Sequence, residues 1–294
     1  MTDLLTRFTK HEDLHQSSMH AHLMREIGWH VTGIKGSKLF YRTLGPLTIA
    51  KIQRPKVLDL VWLKHFRASH HTLTTIIEPG LTTPLPAKKL GLSVEPFAHS
   101  CTSLIDLLPQ EQIILNSFTQ KTRYNIVHTL KVNTLNITTT PLGRLSDLQK
   151  QDFFNLHHHW SKQKNVIGYS KELLHGIFKS FADQGDLHLC YKPACAGRGD
   201  ELIASLLVLY HDSIATYWAA FSSPLGYKSF APTLLTWKAM QIAKLKDCEI
   251  FDFGGIYDPR YPKMYKKWIG FTKFKSGFNP TVISYPPTSL QLFW

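Results

Sequence analysis

The chain has 294 residues, with 34 Lys and Arg against 21 Asp and Glu, a formal net charge of +13 and a pI near 9.5. Hydrophobic residues make up 43%, enough for one large core or two ordinary ones, yet no apolar run approaches the ~20 residues of a membrane span. The first ten residues lack a signal-peptide core, so the chain reads as soluble and cytoplasmic. The charge is spread along the sequence without a basic tail. This favours anionic partners (nucleic acid, phosphorylated substrates, anionic lipid) and argues against a disordered nucleic-acid arm. Cys101, Cys190, Cys195 and Cys248 form no C-x-x-C pair, so zinc-ribbon and thioredoxin chemistry have no support. His157, His158 and His159 fall in a predicted helix, where adjacent side chains diverge, and no metal site is expected.

In chain order, a helix is predicted over 17–27, strands over 29–34, 39–42 and 47–52, a helix over 56–69 and a strand over 74–78. A strand over 103–106 precedes a helix at 109–118 and a basic helix at 119–131 that joins two halves. The second half opens with a strand at 135–139. Ser146 and Gln149 then have capping-box spacing for a helix running to about residue 160, and Ser170 starts another. Three strands follow, 187–191, 202–210 and 214–221; the first connection holds Gly197 and Gly199, the second is the tight turn 211–213. Pro232 suits the first turn of a helix from Ala231 to about Lys246. A strand at 249–253 comes next, and 271–274 belongs to a later one.

This last region concentrates the chemistry. Phe251-Asp252-Phe253 closes on Gly254 and Gly255, residues that let backbone turn sharply or approach a ligand. Read as a strand, 271–278 puts Lys273 and Lys275 on one face and Phe274 on the other. Together they suit an anionic substrate, or form an ordinary strand–loop–strand with a solvated lysine face.

The order β-α-α-β-β-β-α-β in the second half is that of a GNAT-type acyltransferase domain, and the first half is a looser version. The expected fold is α/β, with two tandem GNAT-like subdomains on mixed, mostly antiparallel sheets. Residues 1–132 form the first, with 281–294 as a candidate to complete it, and 133–280 form the second. Within that frame the chain resembles the Fem family of aminoacyl-tRNA-dependent peptidyltransferases. The resemblance rests on Gln16-Ser17 with Leu23 and Ile27-Gly28-Trp29, on Lys121-x-Arg123-x-x-Ile126, on Gly226 through Pro232 with Leu234, Leu235 and Trp237, on Phe251 through Gly255, and on Phe274-Lys275. Ser18, Met19 and His20 stand where the family often carries aromatics. Met24, with Arg25 beside it, stands near a family lysine, and Lys162–Lys164 lie near a family arginine that helps to bind diphosphate. The long helical arm of some members has no counterpart.

The resemblance implies attack by a stem-peptide amine on the ester carbonyl of an aminoacyl-tRNA, building a peptidoglycan interpeptide bridge. The ester is already activated, so the reaction needs positioning and a cation for the developing oxyanion rather than a Ser or Cys nucleophile. By resemblance, Lys275 supplies that cation and Phe274 packs on the terminal adenosine. Asp252 positions the incoming amine, accepts its proton, or bonds local backbone. Tyr217 or Trp218, facing opposite ways on their strand, lines the site beside Gly254 and Gly255. Lys121, Arg123, Arg25 and Lys164 are the candidate phosphate-binding cations. No cofactor is implied beyond aminoacyl-tRNA as co-substrate. The acceptor is UDP-MurNAc-pentapeptide or lipid II, and the protein is expected to be a monomer in the cytoplasm, with peripheral contact at the inner membrane face.

Two rivals share part of these features. A CoA-dependent GNAT N-acyltransferase would place a glycine-rich turn before the helix at 231, but that junction has one glycine and a proline that removes an amide donor. A non-catalytic RNA-binding protein would suit the charge, but no RRM, KH or helix-turn-helix signature is present.

Overall fold

The computed structural model describes residues 3–34, 36–85, 91–96, 98–132, 134–193 and 200–292. Its strands are β1 (His30–Ile34), β2 (Ser37–Leu44), β3 (Leu47–Gln53), β4 (Thr72–Glu78), β5 (Leu92–Ser93), β6 (Cys101–Asp106), β7 (Asn136–Pro141), β8 (Gly185–Lys192), β9 (Glu201–His211), β10 (Ile214–Ser222), β11 (Ile250–Gly255), β12 (Thr281–Ser284) and β13 (Ser289–Leu292). They form a six-stranded sheet, β1-β2-β3-β4-β13-β5, and a seven-stranded sheet, β12-β6-β11-β10-β9-β8-β7. The fold is mixed α/β on two mostly antiparallel sheets. The predicted connection holding Gly197 and Gly199, with Cys195, lies outside the described residues.

The chain divides into two compact units, one of Met1–Thr102, Gly255–Ile269 and Val282–Trp294, the other of Ser103–Gly254 and Gly270–Thr281. Each repeats one plan: three antiparallel strands, a helix, and a fourth strand parallel to the third. In the first unit these are β1–β3, helix Leu60–Ser69 and β4; in the second, β8–β10, helix Ala231–Leu245 and β11. Residues 103–132, read from the sequence as part of the first half, fold with the second. The Phe118 ring lies 5.6 Å from Trp237 and 5.1 Å from Phe278, and Ile126 is buried in the same core cluster. Helix Gln120–Val132 has a single narrow buried face, Thr122, Ile126 and Thr129, and it packs along helix Ala231–Leu245.

The local signals explain the main elements. Ser146 Oγ accepts from Gln149 N at 3.2 Å, and Gln149 Oε1 accepts from Ser146 N at 3.0 Å, closing the capping box that starts helix Asp147–Lys164. Ser170 and Asp59 cap their helices with the side chain alone, accepting from Leu173 N and Trp62 N. In the first unit, Gln16 is a buried cross-link. Its Oε1 accepts from Lys38 N at 2.6 Å, and its Nε2 donates to Gln53 O at 2.6 Å, joining β2 to the end of β3. Ser17 then caps helix Ser18–Glu26 by accepting from His20 N at 2.9 Å. The Gln-Ser pair is thus a structural joint. Among the described residues, no helix is long and apolar enough to cross a membrane.

Replacing Gln16 by Ala strands a buried backbone donor and a buried acceptor. The expected loss is about 2–4 kcal/mol of stability, read as a lower urea midpoint. A loss below about 0.5 kcal/mol, the range of an ordinary surface change, would show that water takes over both bonds.

Candidate active site

The second unit opens where its parallel strands stop pairing. β10 and β11 are in register only from Ile214–Ile250 to Thr216–Asp252. Just beyond, the β9–β10 register shifts between Tyr217 and Ala219, making Trp218 the extra residue of a bulge. On β11, Gly254 takes φ +65°, and a Cβ there would lie 3.3 Å from Tyr217 O. Asp252 Oδ1 accepts from Gly254 N at 2.7 Å and so fixes this turn. Regular pairing of the two strands therefore ends just before Tyr217, Phe253 and Gly254, leaving an opening in the ladder there.

Lys275 fills the bottom of this opening. The segment read as a strand is a helix, Ile269–Ser276. Residues 271, 274, 275 and 278 have i, i+3, i+4, i+7 spacing, the helical pattern, which outweighs the local alternation of Lys273, Phe274 and Lys275. The correction separates the two lysines. They lie about 200° apart around the helix, so Lys273 is exposed while Lys275 is only 6% exposed. Lys275 Nζ donates to Phe253 O at 2.8 Å and sits 5.4 Å from the Tyr217 ring centroid and 5.0 Å from that of Phe271. Burial pushes its ammonium down from 10.5 to about 7, and the nearby Asp252 carboxylate opposes that fall.

The helix also changes which aromatic flanks the cation. Phe271, one turn before Lys275, is partly exposed beside it. Phe274 is half-buried and packs on Phe278, 5.4 Å away, at the edge of the core. Tyr217 lines the opening with its ring 5.8 Å from Phe253, and burial raises its hydroxyl well above the usual phenol range. Trp218, on the bulge, is half-buried. Gly255 has a packing role in the first unit, because a Cβ there would meet the Trp268 ring at 2.4 Å.

The remaining predicted cations lie on other helices. Arg123 turns its guanidinium back onto Asn116 O (2.9 Å) and Phe118 O, capping helix Glu111–Ser117. Lys121 is exposed near the start of helix Gln120–Val132. Lys164 is exposed at the end of helix Asp147–Lys164, with Nζ 5.2 Å from the Tyr227 ring. In the first unit, Arg25 is exposed on the last turn of helix Ser18–Glu26, while Met24 is buried against the sheet.

The histidine triplet diverges. His157 is buried and accepts from Tyr169 N at 3.1 Å through Nε2, and burial lowers its basicity, while His158 and His159 face outward. Among the described residues, no group of three or more metal-ligating side chains converges. The Cys190 and Cys248 thiols are pushed up to about 12 by burial, which keeps them protonated and unreactive at neutral pH.

Comparison with known proteins bears on the fold. A model of the FemAB family matches residues 189–288, which contain β9, β10, β11 and Lys275. The solved structure of FemX is similar with a TM-score of 0.78 at 14% identity, over 100% of this chain and 96% of that one. L-PGS from Bacillus licheniformis gives 0.57 at 11% identity, covering 97% and 90%. A tandem GNAT protein from the clavulanic acid biosynthesis pathway gives 0.51 at 9% identity, covering 89% and 81%. No curated protein matches the chain in sequence. The chain has a Fem-type, GNAT-like fold, and its FemAB match covers the strands and the helix that build the Lys275 site.

Proposed function

We propose that the chain is an acyltransferase that moves an amino acid from aminoacyl-tRNA to the stem-peptide amine of a peptidoglycan precursor, either UDP-linked or lipid-linked. The single observation carrying this reading is the buried ammonium of Lys275 at the point where β10 and β11 part. The FemAB match over that region and the FemX-like fold support a transferase of this class.

In the proposed reaction the donor's ester carbonyl enters the opening with its oxygen toward Lys275 Nζ. The acceptor amine attacks the carbonyl carbon, a C–N bond forms, and negative charge collects on the carbonyl oxygen. The C–O bond to the ribose then breaks, and the proton lost by the amine ends on the ribose oxygen. Lys275 acts in the middle of this sequence. A cation in a water-poor notch stabilises the oxyanion more than it stabilises the neutral ester. Asp252 serves as a positioning residue, holding the Gly254 turn and favouring the charged form of Lys275.

The junction before helix Ala231–Leu245 weighs against CoA as donor. Pro232 has no N–H, and Thr233 N and Leu234 N already donate to Phe230 O. A Cβ on Gly226 would lie 2.2 Å from Ile203 O, so this glycine faces the sheet backbone rather than open space. A pyrophosphate cradle needs free amides at that helix end.

Ribonuclease treatment of the charged donor pool should therefore abolish transfer, and acetyl-CoA should not replace it. Acetylation of a small amine by acetyl-CoA, with no response to charged tRNA, would overturn the proposal.

Lys275→Met should lower turnover about 10²–10³-fold and move KM far less, because the contact forms mainly in the transition state. Lys273→Met, on the exposed side of the same helix, should leave both near wild type. Equal, small effects from the two changes would remove Lys275 from catalysis.

Two pH effects follow from the lowered Lys275 pKa of about 7. Turnover should fall as pH rises through that value, as the ammonium loses its proton, and Lys275→Arg should shift this limb upward. Stability runs the other way. Between about 7 and 10.5 the unfolded chain holds a proton that the folded chain has released, so Lys275 destabilises the fold least at high pH. Lys275→Met should thus melt above wild type at pH 6, with the gap closing toward pH 10. A variant less stable than wild type at pH 6 would show that the Phe253 bond outweighs desolvation.

A further inference from the structure

We propose that the outward face of helix Gln120–Val132 is a docking surface for the sugar-phosphate backbone of RNA; as the path for the donor's acceptor arm it rests on the aminoacyl-tRNA reading above. The helix buries Thr122, Ile126 and Thr129. The opposite side presents Lys121, Tyr124, Val127, His128 and Lys131. Tyr124 is 62% exposed, and its ring stacks on His128 at 5.5 Å with an interplanar angle of 11°. The 13-residue helix contains no Asp or Glu.

Charge and shape select the occupant. Lys121 and Lys131 stand about 15 Å apart along the axis, one toward each end, with the Tyr124–His128 pair between them. Cations at that spacing suit phosphates a few nucleotides apart on one strand, and a flat exposed ring pair offers a stacking platform for a base between them. A membrane-surface helix separates an apolar face from a charged one. Here Lys121 and Lys131 interleave with Tyr124, Val127 and His128 on one face, and the exposed Leu130 and Val132 flank that face rather than forming a separate apolar side. The net charge of +13 adds a favourable long-range field.

Location links this face to the candidate active site. Thr119, one residue before the helix, donates to Gly277 O through N (3.0 Å) and Oγ1 (2.9 Å). A Cβ on Gly277 would lie 2.5 Å from Thr122 Oγ1. The docking face thus starts against the end of the Lys275 helix. An RNA whose charged end reaches the opening has its next nucleotides beside Lys121 and Tyr124.

The test is anisotropy of a labelled, deacylated RNA acceptor-stem hairpin titrated with the full chain at several salt concentrations. Lys121→Gln/Lys131→Gln should weaken binding about tenfold at low salt and reduce the slope of log affinity against log salt by about two. Tyr124→Ala should weaken binding with little change in slope. Lys121→Arg/Lys131→Arg should bind as wild type, as should Lys171→Gln/Lys179→Gln, which removes the same charge from another helix. Loss of binding in the Lys171/Lys179 variant equal to that in the Lys121/Lys131 variant would reduce the effect to net charge and overturn the proposal. Hairpin affinity unchanged in Lys121→Gln/Lys131→Gln would overturn it as well. So would a loss confined to anionic phosphatidylglycerol vesicles, which would assign the face to membrane. Transfer by the wild type from charged tRNA is scored separately. If it persists while the hairpin test fails, the surface is wrong and the aminoacyl-transfer reading stands. If it is absent while the hairpin test succeeds, the reverse holds.

Discussion

A parallel strand pair that stops after three residue pairs governs the second unit. Pairing fixes strand separation at about 4.8 Å, too close for a side chain to enter. β10 bulges at Trp218 and β11 turns at Gly254, so the β10–β11 pairing ends just before the Phe253 carbonyl. A buried carbonyl needs a donor, and Lys275 Nζ supplies one at 2.8 Å. The same bond satisfies the backbone and anchors a cation at the end of the parallel pair. The position of helix Ile269–Ser276, the burial of Lys275 and the placement of Phe271 all follow from this one unfinished edge.

The first unit shows the alternative outcome of the same topology. There β3 and β4 stay paired from Thr48–Thr72 to Gln53–Glu78. Beyond the pairing, Gln53 Nε2 donates to Glu78 Oε2 at 2.7 Å, and Glu78 Oε1 accepts from Ala98 N at 2.6 Å. Gln16 ties the Gln53 carbonyl on top. These side chains tie the ends of β3 and β4 together where the second unit places a lysine. The two units thus share a strand order and differ in which side chains finish the parallel pair.

The succession of elements along the second half was legible because each signal was local. Capping at Ser146 and Ser170, the turn at 211–213 and the apolar runs of β8–β11 each act within a few residues. The Ile269–Ser276 helix was not, because two periodicities overlap there. Alternation of Lys273, Phe274 and Lys275 suggests a strand, while Phe271, Phe274, Lys275 and Phe278 share one helical side. The tie is decided by tertiary partners, Phe253 O and Tyr217, which are more than twenty residues away in sequence. Gly255 was legible as special but not for the right reason, since the Trp268 ring that excludes a side chain follows thirteen residues later. Arg123 looked free for phosphate because nothing in its spacing reveals that it folds back on Asn116 and Phe118.

The low pKa of Lys275 brings a hazard as well as an advantage. A lysine poised near 7 is partly an uncharged amine at neutral pH, and an uncharged amine next to an activated ester is itself a nucleophile. In the proposed reaction such a lysine competes with the acceptor, and success would leave it acylated and the site blocked. Protection falls to Asp252, whose charge favours the protonated state. An aspartate that never touches substrate would then keep the enzyme from consuming its own donor.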